Sequence, residues 1–221
     1  ELMVESYVEG VSGREVYNLL GTSTIRDNDL YAYEDGEEYT LDKGLLVRSN
    51  EKDIGATGRG VLTEIYLDDD RDEITIASIN TYLAEVTKVE ENEDDYTVTV
   101  SYKTSPSGSV SREFDTTTEF AREDIVLVTL AGESGNTKEI QSLDLAETVE
   151  GTVNSVRNAD YVRMDGNTYN YNYGYTSTDR ILAALYDLDD NNAAGKNPEA
   201  GDDVTLYLDL YGNAIAVENA D

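Results

Sequence analysis

Cysteine, histidine and tryptophan are absent from this chain of 221 residues, and proline and phenylalanine occur twice each. Without His or Cys, zinc, copper, haem and iron–sulfur centres lose their usual protein ligands. Ser–His–Asp and Cys–His catalysis are excluded within the chain. Stability has to come from packing or bound ions, since disulfides cannot form. Positive charge is scarce as well: 16 Lys and Arg stand against 47 Asp and Glu, a net charge of −31. Such a field repels phosphates, which argues against nucleic acid and anionic membranes as partners. No apolar run approaches the roughly 20 residues of a membrane helix, so membrane insertion is not expected. The chain opens ELMVESYVEG with no initiator Met or signal peptide, and reads as a piece of a longer protein.

What is abundant is strand chemistry. Val, Ile, Thr and Tyr recur throughout, punctuated by Gly, Asn and Asp turns. The stretches repeat. In TEIYLDDDRDEITIA (63–77) and VTLYLDLYGNAIAV (204–217), Tyr66, Leu67 and Asp68 match Tyr207, Leu208 and Asp209, and Ile74 and Ile76 fall on Ile215 and Val217. A looser copy, DIVLVTLAGESGNTKEIQSL (124–143), sets Val126, Val128 and Leu130 on Val204, Leu206 and Leu208. Upstream, EDGEEYTL (34–41) resembles MDGNTYNY (164–171), with Asp-Gly as the turn. Self-similarity of this kind marks a repeat architecture. The expectation is an all-β chain of tandem small five-stranded barrel-like modules at 1–81, 82–148 and 149–221. Two short accessory helices interrupt it. SGREVYNLLG has a capping box, Ser12 with Glu15, and Gly21 as a stop. STDRILAALYD (177–187) turns Ile181, Leu182 and Leu185 toward a core. Leu67, Leu206, Leu208 and Tyr169 are expected in buried rows.

The segments GRGVLTEIYLDDDRDEITIASINTYLAEVTKV, FAREDIVLVTLAG…TKEIQSL and GDDVTLYLDLYGNAIAV resemble the β-rich repeats of large surface proteins from clostridia-like gut bacteria. Those proteins commonly carry S-layer-homology modules that anchor them to the cell wall. The resemblance covers about residues 59 to 221. It implies an extracellular place on a bacterial cell surface, anchoring by regions outside this piece, and partners that are other surface-protein subunits or host glycan or protein. It assigns no activity to any residue.

Two constellations could carry chemistry. GNTYNYNYGYTST (166–178) sets tyrosine at 169, 171, 173 and 175. Alternate residues share a strand face. Tyr169 and Tyr171, aligned with Tyr39 and Leu41, are expected inside a barrel. Tyr173 and Tyr175, with Asn172, are the candidates for an exposed patch that stacks on a sugar or a partner. The second constellation is acidic. YLDDDRDE places Asp68, Asp70 and Asp72 at alternate positions in a turn, and DLDDNNAAGKNPE places Asp187, Asp189 and Asn191 at positions 1, 3 and 5 of a calcium-loop pattern. That pattern needs Gly at position 6 and Glu at position 12, where this chain has Asn192 and Pro198. Solvated acidic turns are the default reading and calcium the functional one; no other cofactor is expected. No catalytic residue is expected either. A glycosidase needs two carboxylates in a cleft, and among 47 a pair is uninformative. GATGRG (55–60) precedes a strand, not a helix, and fails the context of a phosphate loop.

Overall fold

The computed structural model describes residues 1–105, 108–132, 138–172, 184–190 and 195–220. The chain is all-β with few helices. It forms two compact units: Glu1–Asn80 with Leu130–Lys138, and Thr81–Thr129 with Glu139–Asp221. Among the described residues, no helix is long and apolar enough to cross a membrane.

The first unit opens with strand β1 (Leu2–Tyr7) and helix α1 (Gly13–Leu20). The capping box forms: Glu15 N donates to Ser12 Oγ at 3.1 Å, and Ser12 N donates to Glu15 Oε2 at 2.7 Å. Val16 is fully buried beneath the helix. Gly21, at φ +84°, ends α1, and a second helix not foreseen in the sequence, α2 (Thr22–Asp27), starts at once. Strands β2 (Asp29–Glu34), β3 (Glu37–Tyr39), β4 (Leu62–Asp68) and β5 (Glu73–Ile79) complete the sheet, in the order β1-β4-β5-β2-β3. Hairpin β4–β5 pairs Ile65 with Ile76 and Leu67 with Ile74. That phase sends Ile65, Ile74 and Ile76 into the core, while Leu67 is half-buried against it. Strand β2 runs parallel to β5.

In the second unit, β6 (Tyr82–Glu91), β7 (Tyr96–Lys103), β8 (Ser109–Thr116), β9 (Ile125–Ala131) and β10 (Glu139–Leu145) form a sheet ordered β10-β9-β6-β7-β8. Its edge strands β10 and β8 approach each other, so the sheet curls toward closure. The last sheet holds β11 (Glu147–Arg157), β12 (Tyr161–Met164), β13 (Asn167–Asn170), β14 (Tyr186–Asp187), β15 (Asp203–Leu208) and β16 (Ala214–Asn219), ordered β13-β12-β11-β15-β16-β14. Just past β13, Tyr171 bridges Ala214 in parallel, and Asn172 N donates to Ala214 O at 2.8 Å. That one bridge brings the ends of five strands together, so they curl into a half-barrel whose core includes Val153, Val162, Tyr171, Leu206 and Leu208.

The same joint occurs in both sheets of the second unit. Val86 N donates to Asp124 O and Glu123 N to Val86 O; Val153 N donates to Asp202 O and Gly201 N to Val153 O. Each joint lies beside a register shift in β6 or β11. Asp124 and Asp202 each cap their own turn, accepting from the amides of Ala121 and Glu199 at 2.8 Å. The residue before each aspartate is left-handed: Glu123 at φ +75° and Gly201 at +97°. In the first unit Gly60, at φ +80°, donates likewise to Val8 O.

Two expectations change. The segment 177–187 was expected to be helical. Residues 177–183 lie outside the described residues, and Leu185–Asp187 are extended: Leu185 bridges Lys196, and β14 runs parallel to β16. The backbone donors that would have continued a helix are instead taken by neighbours, Leu185 N by Lys196 O and Leu188 N by Val217 O. The likeness of EDGEEYTL to MDGNTYNY is a likeness of hairpins in one register, Ala32 pairing with Tyr39 and Val162 with Tyr169, but not of their place in the sheet. Asp35-Gly36 and Asp165-Gly166 both adopt positive φ at both central residues, as a type I′ hairpin requires. Yet β2 lies parallel to β5, whereas β12 lies antiparallel to β11. The lane of β2 is occupied in the last sheet by β14. Ala32 faces Ile76, which pairs with Ile65; Asp187 faces Val217, which pairs with Leu206.

Candidate functional site

The acidic turns are first of all turns. Asp68 Oδ1 accepts from the Asp70 amide at 3.1 Å. Its Oδ2 lies 3.8 Å from Arg71 Nε and 3.9 Å from the N-terminal amine. Asp72 sits at φ +53°, and its carbonyl accepts from Asp29 N at 2.8 Å. Asp70 is exposed. In the other group, Asp187 Oδ1 accepts from Asp189 N at 3.0 Å, and Asp189 Oδ2 accepts from Asn219 N at 2.8 Å. Asp187 is a strand residue, and Asn191 lies outside the described residues. Asp189 borders a concavity of about 260 Å³ with Glu150, Thr205 and Glu218. The Tyr207 hydroxyl donates to Glu218, and burial together with that carboxylate raises its pKa. Among the described residues, no three acidic side chains converge as a metal would need.

The carboxylate at the position matching Asp68 does something different. Asp209 is 4% exposed and accepts four hydrogen bonds: from the amides of Tyr211 and Asn213 at 2.8 and 2.9 Å, and from the side chains of Asn172 and Asn213 at 2.7 and 2.9 Å. It knots the β15–β16 turn to the segment that curls the sheet. Asp35 plays a similar part in the first unit, accepting from Asn80 N and Nδ2 at 2.9 and 3.0 Å.

Tyr171 is fully buried, and its hydroxyl donates to Asn197 Oδ1 at 2.6 Å. Burial pushes its pKa up to about 12. Tyr169 is half-buried against the same core. Asn172, expected in an exposed patch, is fully buried, because its amide nitrogen is spent on Asp209 and its backbone on Ala214. Tyr173 and Tyr175 lie outside the described residues.

Sequence reasoning missed a cleft of about 420 Å³ at the two helices. Ile25, Leu46 and Val47 give it an apolar floor, and Tyr17, Arg26 and Lys43 stand around it. The Tyr17 hydroxyl bonds Thr22 Oγ1 at 2.9 Å, and the Arg48 guanidinium lies 5.4 Å from the ring centroid. That hydrogen bond and the Arg48 charge lower the pKa of Tyr17. Lys43 Nζ donates to the carbonyls of Arg26 and Asn28 at the end of α2, where a cation is favourable. Arg26 forks onto Asp27 at 2.7 and 3.0 Å. The cleft has no clear signal in the sequence: residues 14–48 hold four bases, Arg14, Arg26, Lys43 and Arg48, against eight acids, so no basic run marks it.

Searched against protein-family models, curated proteins and solved structures, the chain has no match.

Proposed function

We propose that the chain is a structural and interaction segment of a bacterial cell-surface protein, a stalk or lattice module without catalysis of its own. The observation that carries this reading is where the buried polar chemistry goes. Asp35, Asn80, Asn172 and Asp209 are buried and bonded to turns and neighbouring strands. A buried carboxylate saturated by four donors builds structure and has little left for substrate. The acidic surface suits an extracellular protein in a calcium-rich setting, where divalent ions bridge neighbouring acidic faces. Sedimentation velocity in chelator and then in millimolar calcium tests the lattice form. A calcium-dependent shift to larger species supports it, and the Asp68 and Asp187 turns then become the positions to mutate. An unchanged monomer removes calcium-driven assembly by this chain.

The cleft beside α1 and α2 favours a second reading, an adhesin-type module that recognises host glycan or protein. Its apolar floor and cationic side chains suit an acidic ligand. A glycan and host-protein binding screen separates the readings. Specific binding lost in Arg26→Ala favours the cleft, binding lost in Tyr173→Ala with Tyr175→Ala favours the tyrosine row, and an empty screen favours the structural reading.

A further inference from the structure

Nine large apolar side chains are exposed among the described residues, and six of them fall in two patches of the first unit. One patch is β1 and the residue just past it: Leu2 is 72% exposed, Met3 48%, Val4 37% and Val8 39%. Strand β1 ends its sheet, and among the described residues no strand pairs with its outer edge. Glutamates punctuate it at 1, 5 and 9. The other patch is at the cleft, where Val47, 40% exposed, lies next to buried Leu46 and Arg26 and Lys43 stand at the wall, with Leu45, also 40% exposed, adjacent in the chain.

The patches are complementary. One is an apolar edge strand with acidic residues, the other an apolar cleft with basic ones. The register of β1 shifts between Met3 and Glu5, which sets Val4 out of the ladder beside exposed Leu2, and these two side chains are the ones offered to the cleft. Two such side chains suit a cleft of about 420 Å³. Glu1 and Glu5 then fall within reach of the cationic side chains. Charge argues for this occupant. The net charge of −31 makes a neighbouring acidic surface repulsive over most of the molecule, whereas the described lining of the cleft carries Arg26 and Lys43 and no acidic residue.

We propose that β1 of one copy docks into the Tyr17–Lys43 cleft of a second copy. A patch and a pocket on different parts of one molecule make a heterologous contact, which propagates head to tail instead of closing as a twofold pair. The contact deepens the lattice reading and rests on it, but it needs no calcium, so its failure is separable from that of ion-bridged assembly.

The test is sedimentation velocity over a concentration series in chelator and 0.15 M-range salt, using the full chain with Leu2→Asp and Val47→Asp. Both positions are on the surface, and circular dichroism checks that each variant stays folded. Wild type is expected to form a concentration-dependent ladder of species. Each variant alone is expected to be at least about tenfold weaker in association, because a charge replaces an apolar contact. An equimolar mixture of the two variants is expected to recover association and to stop at dimers, since one copy keeps the strand and the other keeps the cleft. Three results would overturn the proposal: a wild-type monomer at every concentration, a Val47→Asp variant that associates like wild type, or a mixture that recovers nothing.

Discussion

The first sheet and the two sheets of the second unit share a three-strand kernel and differ in what is added to it. In each, an opening strand lies beside the first strand of a hairpin: β1-β4-β5, β6-β9-β10 and β11-β15-β16. A left-handed residue before the hairpin bonds the opening strand in the two later sheets, and Val8, just past the opening strand, in the first. The later sheets then add a hairpin on the opening strand's side, β7–β8 or β12–β13, and curl toward closure. The first sheet adds β2–β3 on the far side, along β5. The consequence is visible in burial. Strand β6 buries Tyr82, Leu83, Ala84 and Val86, whereas β1 exposes Leu2, Met3 and Val4. One kernel thus gives a closed core when the added strands cover its opening strand, and a bare apolar edge when they do not.

The largest expected effect separates matched positions of the kernel. Leu208 is 6% exposed, while its counterpart Leu67 is half-buried. Leu208→Ala should cost about 2–5 kcal/mol and Leu67→Ala about 1–2 kcal/mol in urea unfolding. Equal costs would mean that the two hairpins are equally covered. The matched aspartates should diverge next. Asp209→Ala strands the buried amide of Asn172 and should cost about 2–4 kcal/mol, against less than about 1 kcal/mol for the turn residue Asp68.

How much of this was legible in the sequence varies from residue to residue. The YLD match and the phase of Ile76 and Val217 carried the hairpin kernel, because a period of two repeats in both copies. Ser12 and Glu15 announced α1 through local hydrogen bonds alone. Asp68 and Asp209 occupy the same motif position and look identical as text. Their difference comes from Asn172, 37 residues upstream of Asp209, and no local pattern reports it. The left-handed turn at Gly60 and Gly201 was readable from glycine, but Glu123 adopts the same geometry without the signal. ILAALYD has helical spacing, yet its last residues find strand partners, a tertiary choice that overrides periodicity. The closer counterpart was in the text: TSTIRDNDLYA (22–32) and TSTDRILAALYD (176–187) both lead into the lane beside the last strand of the kernel.

A third difference is alkaline. The half-barrel tyrosine Tyr171 keeps its proton to about 12, against 10.0 for a free tyrosine. The folded state therefore holds the proton more tightly than the unfolded chain. Stability is full below pH 10 and falls as pH rises toward 12, by about 2–3 kcal/mol. Tyr171→Phe should flatten that limb in pH-dependent unfolding of the second unit, and a limb left unchanged would assign it to other tyrosines, Tyr207 first. The smallest effect concerns the shared turn. Gly201→Ala should cost about 1 kcal/mol at φ +97°, whereas Glu123→Gly should be neutral or slightly stabilising. A stabilising Gly201→Ala would show that the turn relaxes out of the left-handed region.

The contrast between an uncovered opening strand and a covered one is tested most directly by residue-resolved hydrogen exchange on dilute, monomeric protein. Along β1, amides bonded to β4 should be protected while those on the outer edge exchange at nearly unfolded rates, giving an alternating pattern. From Ala84 to Val86, where β6 is paired on both sides, successive amides should all be protected. Uniform protection along β1 would contradict the account, because it would mean that the apolar edge is covered within a single copy.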